Sequence, residues 1–226
     1  MIHILCIETS ENKCSIALST DGQCTYYSEK NEEQSHAKLL TLMIGELMDK
    51  NRLNYTDLDA VCVVAGPGSY TGLRIGLSTA KGICWVNDTP LLSLTSTEVI
   101  VEESKQKKPN FDIYIASLDA RRNEVFMAVF DSEKELEITK PVVLDQDPLQ
   151  KYKGKSIFIA GSGATKFLPF NRDGIETDSE IVPNAKHMCN KAYKKFLSNM
   201  VEDLVYFEPK YFKAVYTTVS TKKIFS

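Results

Sequence analysis

The sequence predicts an α/β protein of two related lobes, the second reduced, and three patterns lead to that reading. Three short β-prone runs at the amino terminus give way to segments in which the hydrophobic period changes from two to nearly four. A polar stretch at 102–110, EESKQKKPN, then interrupts the chain, and part of the pattern restarts after it. Residues 61–68 (VCVVAGPG) and 156–163 (SIFIAGSG) are each a buried-strand run ending in a glycine turn.

In chain order, 2–8 (IHILCIE), 14–20 (CSIALST) and 23–28 (QCTYYS) read as three antiparallel strands, separated by a polar turn and by Asp21-Gly22. Helical spacing runs from Gln34 to Lys50. A buried strand follows at 60–65, a second helix at 73–86, a strand at 90–94 and a short helix from Ser96. Three antiparallel strands and then helix, strand, helix, strand is the order of a ribonuclease-H-like layer. Placing the boundary in the polar stretch gives lobes at 1–105 and 106–226. In the second, 112–118 (DIYIASL) leads through Asp119-Ala120-Arg121-Arg122 into 124–130 (EVFMAVF), as the first strand leads through Glu8-Thr9-Ser10 into the next. A helix at 184–200 begins on an Asn184 cap, and the tail from Glu208 ends in a Thr, Ser and Lys-rich segment expected to be disordered.

Composition narrows the class. With 226 residues, 43% hydrophobic and 25% charged, the chain sits near the globular average, which sets aside disordered, fibrous and membrane classes. The apolar run of MIHILCIETS is too short to span a membrane and lacks a basic flank. Six cysteines without a CxxC pair suit a reduced, cytoplasmic protein. A net charge of −3 leaves too little counterion release for strong independent binding to nucleic acid, so any such contact needs a partner.

Three chemistries compete. Phosphoryl transfer needs carboxylates for magnesium and glycine turns for phosphate. Glu8, Asp119, Gly66, Gly68, Gly161 and Gly163 supply those types, with Thr9, Ser10 and Ser69 beside them, yet carboxylates at strand ends are common and the second lobe leaves little room for an adenine pocket. Metal hydrolysis is poorly served by His3, His36 and His187, which form no H-x-x-x-H pair, so no stoichiometric zinc or iron is expected. Ser69 does not lie in a nucleophile elbow and reads as a cap. Protein binding has its own evidence. The apolar residues of the first helix, Leu39, Leu40, Met43, Ile44 and Leu47 among them, cover far more than the ~100° arc that one core contact needs. The second helix carries a strip of small residues at Gly72, Gly76 and Ala80, next to Leu73. These two faces belong either to deep core helices or to a partner interface.

The string AGPGSYTGLRIG at 65–76 resembles the diagnostic motif of the TsaB family, in which Phe commonly replaces Tyr70. The opening ILCIETS with CSIAL, SLDARRNEVF at 117–126, AGSGATKF at 160–167 and EPKYFKAV at 208–215 are similar to further family segments in the same order. The resemblance implies a fold of the actin, hsp70 and sugar kinase superfamily, a group once labelled glycoprotease. It also implies a non-catalytic role beside TsaD in transferring a threonylcarbamoyl group to the adenosine next to the tRNA anticodon, with TsaE in the larger complex. Contact with tRNA is then indirect, no cofactor is required, and a homodimer through the same helices is expected when TsaD is absent. Family members often carry Asp where this chain has Glu8, which weakens an ATPase reading. A nucleotide-dependent phosphotransferase of the same superfamily is the alternative.

Overall fold

The computed structural model describes residues 1–31 and 36–213, so the end of the tail, expected to be disordered, lies outside the described residues. The three amino-terminal runs form strands β1 (His3–Glu8), β2 (Lys13–Thr20) and β3 (Gln23–Asn31). Helix α1 (His36–Asn51), β4 (Ala60–Val64), α2 (Tyr70–Asn87) and β5 (Leu91–Leu94) complete a sheet of order β3-β2-β1-β4-β5. Helix α3 (Ser96–Lys107) leads to β6 (Ile113–Asp119), β7 (Glu124–Phe130), β8 (Glu135–Val143), β9 (Ile157–Ala160) and β10 (Ile175–Asp178), and α4 (Cys189–Leu197) follows. The second sheet has order β10-β9-β6-β7-β8. Strand for strand this repeats the first, with β6 antiparallel to β7 and parallel to β9 just as β1 is antiparallel to β2 and parallel to β4. Among the described residues, no helix is long and apolar enough to cross a membrane.

Short polar connections account for most helix ends. Ser69 Oγ accepts from the Gly72 amide and starts α2 three residues before the expected Leu73, while Asp88 ends it in a left-handed conformation. Thr95 and Glu98 form a capping box on α3, Thr95 Oγ1 accepting from Glu98 N at 3.1 Å and Glu98 Oε2 from Thr95 N at 2.7 Å. The stretch expected as an interlobe boundary is for most of its length the end of this helix. Lys107 and Lys108 lie on the outer face while Glu103 is buried, and Ile100 and Val101 on the inner face pack on the second sheet with Tyr114, Ala116 and Phe158.

Four packed surfaces result. On one face of the first sheet, Leu5, Ile7, Val61 and Val63 meet α1 and α2. On its other face, Ile4, Cys6, Cys62 and Val64 meet Met188, Cys189 and Ala192 of the α4 segment. The second sheet takes α3 on one face and, on the other, Leu149, Ala164 and Phe167 from short connections where the first lobe has full helices. That helix α4 lies on the first sheet corrects the division at residue 105, which had given it to the second lobe. Its apolar edge fits the face that α1 and α2 leave bare. The helix expected at 184–200 is a 3-10 turn at Ala185–Met188 followed by α4, with Asn184 Oδ1 accepting from Lys186 N at 3.0 Å. Lys191 and Lys195 of α4 reach Glu98 of α3 at 3.4 and 3.7 Å, which joins the two helices between the sheets.

Candidate functional site

The turns after β1 and β6 and the glycine turns after β4 and β9 face one another across a cleft of about 880 Å³. Ser10, Glu11, Asn12, Gly68 and Ser69 line it from the first lobe. Asp119, Arg121, Arg122 and Ser162 line it from the second, with Lys213 of the tail. The two half-patterns read in the sequence therefore meet at one place. The glycine turns are fastened through their backbone, Ser69 N donating to Ser10 O of the turn after β1 at 2.7 Å and Gly163 N to Ser117 O near the end of β6 at 2.9 Å. Close approach explains the glycines: a Cβ at Gly68 would strike the Ser10 carbonyl, and one at Gly161 the Ser117 carbonyl.

The carboxylates of this site are poorly suited to magnesium. Glu8 is fully buried beneath the cleft, where Oε1 accepts from Ser10 N at 2.6 Å and Ser10 Oγ at 2.5 Å and Oε2 has no hydrogen-bond partner among the described residues. Burial pushes this carboxyl up to about 8 against those two hydrogen bonds, so it is largely neutral at pH 7. A neutral acid makes a poor ligand for a hard cation. Asp119 is charged but engaged. Burial opposes its ionisation, and the Lys166 ammonium at 2.6 Å with the Arg121 amide at 2.6 Å outweighs burial and holds the carboxyl below its usual range. Thr9 lies under α2 rather than in the cleft, its Oγ1 donating to Gly72 O at 2.8 Å. Asn12, Arg121, Arg122, Ser162 and Lys213 are cleft residues that the sequence reading did not select, since only the chain path brings these loop positions together.

The interface residues need a correction. Leu39, Leu40, Met43, Ile44, Leu47, Leu73 and Ala80 are all buried within this chain, Leu40, Met43, Leu47 and Ala80 at 0% exposure. The wide apolar arc of α1 is consumed twice, once by the sheet and once by α2. Gly72 and Gly76 are likewise internal, because a Cβ at either would run into Thr9, at its carbonyl and its Oγ1 respectively. The small-residue strip lets α2 settle onto the end of β1, not onto another protein.

The opposite faces of the same helices are open. Leu42 on α1 is 54% exposed, and Trp85 and Val86 on α2 are 71% and 80% exposed. Gly45 and Gly82 lie inside these helices, and among the described residues nothing comes within 4 Å of the Cβ that each lacks. A mid-helix glycine costs about 1 kcal/mol relative to alanine, and no close contact among the described residues offsets that cost. The tail runs beside α2. Lys210 N donates to Ala65 O at 2.8 Å, and Tyr211 OH accepts from Arg74 Nε at 2.9 Å while its ring lies 5.0 Å from that of Tyr70. Beyond it Phe212 meets Phe126 and Lys213 pairs with Glu124, so the tail crosses from the first lobe to the second.

Comparison with known proteins gives a consistent result. A family model described as TsaD, tRNA N6-adenosine threonylcarbamoyltransferase, matches residues 30–215. The chain is 24% identical to the tRNA threonylcarbamoyladenosine biosynthesis protein TsaB of Haemophilus influenzae over 93% of each chain. It is 25% identical to the protein of that name from Escherichia coli, over 99% of this chain and 98% of the other. Of solved structures, YeaZ from Pseudomonas aeruginosa superposes with a TM-score of 0.79 at 21% identity, over 93% of this chain and 100% of that one.

Proposed function

Because the chain belongs to the TsaD threonylcarbamoyltransferase family and, within it, to the TsaB group, we propose that it is a non-catalytic partner of TsaD in forming threonylcarbamoyladenosine on tRNA. The transfer to the adenosine beside the anticodon belongs to TsaD, and this chain supports it by binding, in the cytoplasm, with TsaE joining the larger complex and tRNA touched only indirectly. We assign the two sheets to the ribonuclease-H-like lobes of the actin, hsp70 and sugar kinase superfamily, on the strength of their common strand order. The observation that carries the binding role is the outward face of α1 and α2, where Leu42, Trp85 and Val86 are exposed beside two otherwise unexplained glycines, Gly45 and Gly82. Exposed apolar anchors around gaps that admit a close neighbour are what a helix-on-helix contact needs. In the absence of TsaD a second copy of this chain would occupy the same face. The alternative, a nucleotide-dependent phosphotransferase, has less support, since Glu8 is neutral and Asp119 is held by Lys166.

Omitting this chain from a reconstituted threonylcarbamoylation of tRNA by purified components should abolish most of the modification, and undiminished product would remove the assignment. The face itself is tested by Leu42→Asp and Gly82→Glu. Both positions are exposed, so melting should change little. Affinity for TsaD measured by calorimetry should fall tenfold or more, equivalent to at least about 1.4 kcal/mol. Unchanged affinity in both variants would place the interface elsewhere.

A further inference from the structure

Four of the six cysteines lie together, although the sequence scatters them. Cys6 and Cys62 are neighbours across β1 and β4, and both are fully buried on the face that α4 covers. Cys189 is the first residue of α4 and is 2% exposed. Cys24 is exposed near the start of β3, an edge strand, and pairs with Ser19 across the β2–β3 ladder. Ser19 Oγ in turn donates to the Cys189 carbonyl at 3.3 Å. Residues paired across a ladder project to the same face of the sheet, so the Cys24 thiol is directed to the start of α4. The β2–β3 turn closes on this helix as well, since a Cβ at Gly22 would press on the Tyr193 ring.

An accessible thiol directed at a buried one is an arrangement in which the first can be oxidised and the second can resolve it.

We propose that Cys24 and Cys189 form a redox pair that closes to an intramolecular disulfide when a hydroperoxide reaches the exposed Cys24. Hydrogen peroxide transfers one oxygen to the Cys24 sulfur, giving a sulfenic acid and one water. The Cys189 thiol then attacks that sulfur and gives up its proton as the S–S bond forms, and the departing hydroxide takes up that proton to become a second water. Two electrons pass from the sulfur pair to the peroxide, and a dithiol reductant reverses the change by thiol–disulfide exchange. The bond ties β3 to α4, two elements far apart in the chain, which limits the unfolded state and raises the melting temperature by several degrees. This inference is independent of the TsaD-binding role.

The test treats the reduced full-length protein with hydrogen peroxide, alkylates the remaining thiols and maps its peptides without reduction. The expected result is a linked Cys24–Cys189 peptide, a loss of two titratable thiols per chain, and a higher melting temperature that dithiothreitol reverses. Cys24→Ser, an exposed substitution that leaves the fold intact, should keep Cys189 alkylatable after denaturation and abolish the rise. Recovery of Cys24 as sulfinic or sulfonic acid, as a disulfide between two chains, or unmodified, with Cys189 still a free thiol, would overturn the proposal.

Discussion

Gly76→Leu is expected to unfold the chain rather than to weaken its association with a partner. The Cβ at this position would meet Thr9 Oγ1, with Thr9 Cβ and Val63 Cγ2 each 3.5 Å away, so the larger side chain must lift α2 from the end of β1. Overpacking a close contact costs about 1–3 kcal/mol. The shift would also break the buried hydrogen bond from Thr9 Oγ1 to Gly72 O, which costs about 1–3 kcal/mol when a partner is left unsatisfied. Together these come to about 2–6 kcal/mol, which reaches the lower end of the stability of a domain of ordinary size, about 5–15 kcal/mol. Leucine is a better helix former than glycine by about 1 kcal/mol, too little to compensate. Urea denaturation should show a large fall in midpoint, or the protein should be insoluble. A milder pair gives the cause: Gly76→Ala should be destabilising alone and less so on a Thr9→Ala background, where the obstructing oxygen is gone. A Gly76→Leu variant melting with the wild type would mean that this glycine faces outward after all.

The second expectation concerns pH and rests on Glu8. Its carboxyl has a raised value in the folded chain, about 8 against 4.5 for the ordinary group, with burial as the main cause. A raised acid binds its proton more tightly when folded. The stability this supplies is fully present below the ordinary value and is lost as pH rises through about 8, by an amount on the order of a few kcal/mol. Glu98, Glu137 and Asp119 act in the opposite direction, because burial is outweighed at each by nearby ammonium groups and hydrogen bonds that hold the carboxyl down. Their contribution is present above the ordinary carboxylate range and is lost as pH falls below it. Stability should therefore peak on the acidic side of neutrality and decline toward pH 8. Glu8→Gln keeps an oxygen for the Ser10 donors and removes the ionisation, so its urea midpoint should be nearly flat between pH 5 and 8. Parallel profiles for variant and wild type would exclude Glu8 as the source.

How much could be read beforehand depended on which signals were local. Strands β1, β4, β6 and β9 carry continuous apolar runs and were all anticipated, as was the return of the pattern in the second half. Strand β8, ELEITKPVV, was missed because most of its residues are exposed and it contains a proline, as edge strands do. Strand β10 is four residues, IETD, none of them fully buried. The pairing of the two acidic turns with the two glycine turns was legible, since each follows a strand. The neutral state of Glu8 was not, because it depends on burial beneath elements distant in the chain. The helix faces chosen from the sequence proved to be internal for a physical reason. A helix packed against both a sheet and a neighbouring helix shows the same broad apolar arc as one awaiting a partner, and periodicity does not tell them apart. Gly45 and Gly82 carry a different signal: neither lies in a turn or has a close neighbour among the described residues.

Helices α3 and α4 change places: the one that follows the first sheet covers the second, and the one that follows the second sheet covers the first. Each half of the polypeptide thus carries the roof of the other, and the two cores should melt as one cooperative unit despite their separate sheets. Cutting the chain in the loop between Lys107 and Ile113 would leave two pieces, each with a sheet exposed on one side and a helix with nothing to cover. Such fragments should aggregate when made singly and recombine when made together, a reciprocity that binds the halves without any covalent link between them.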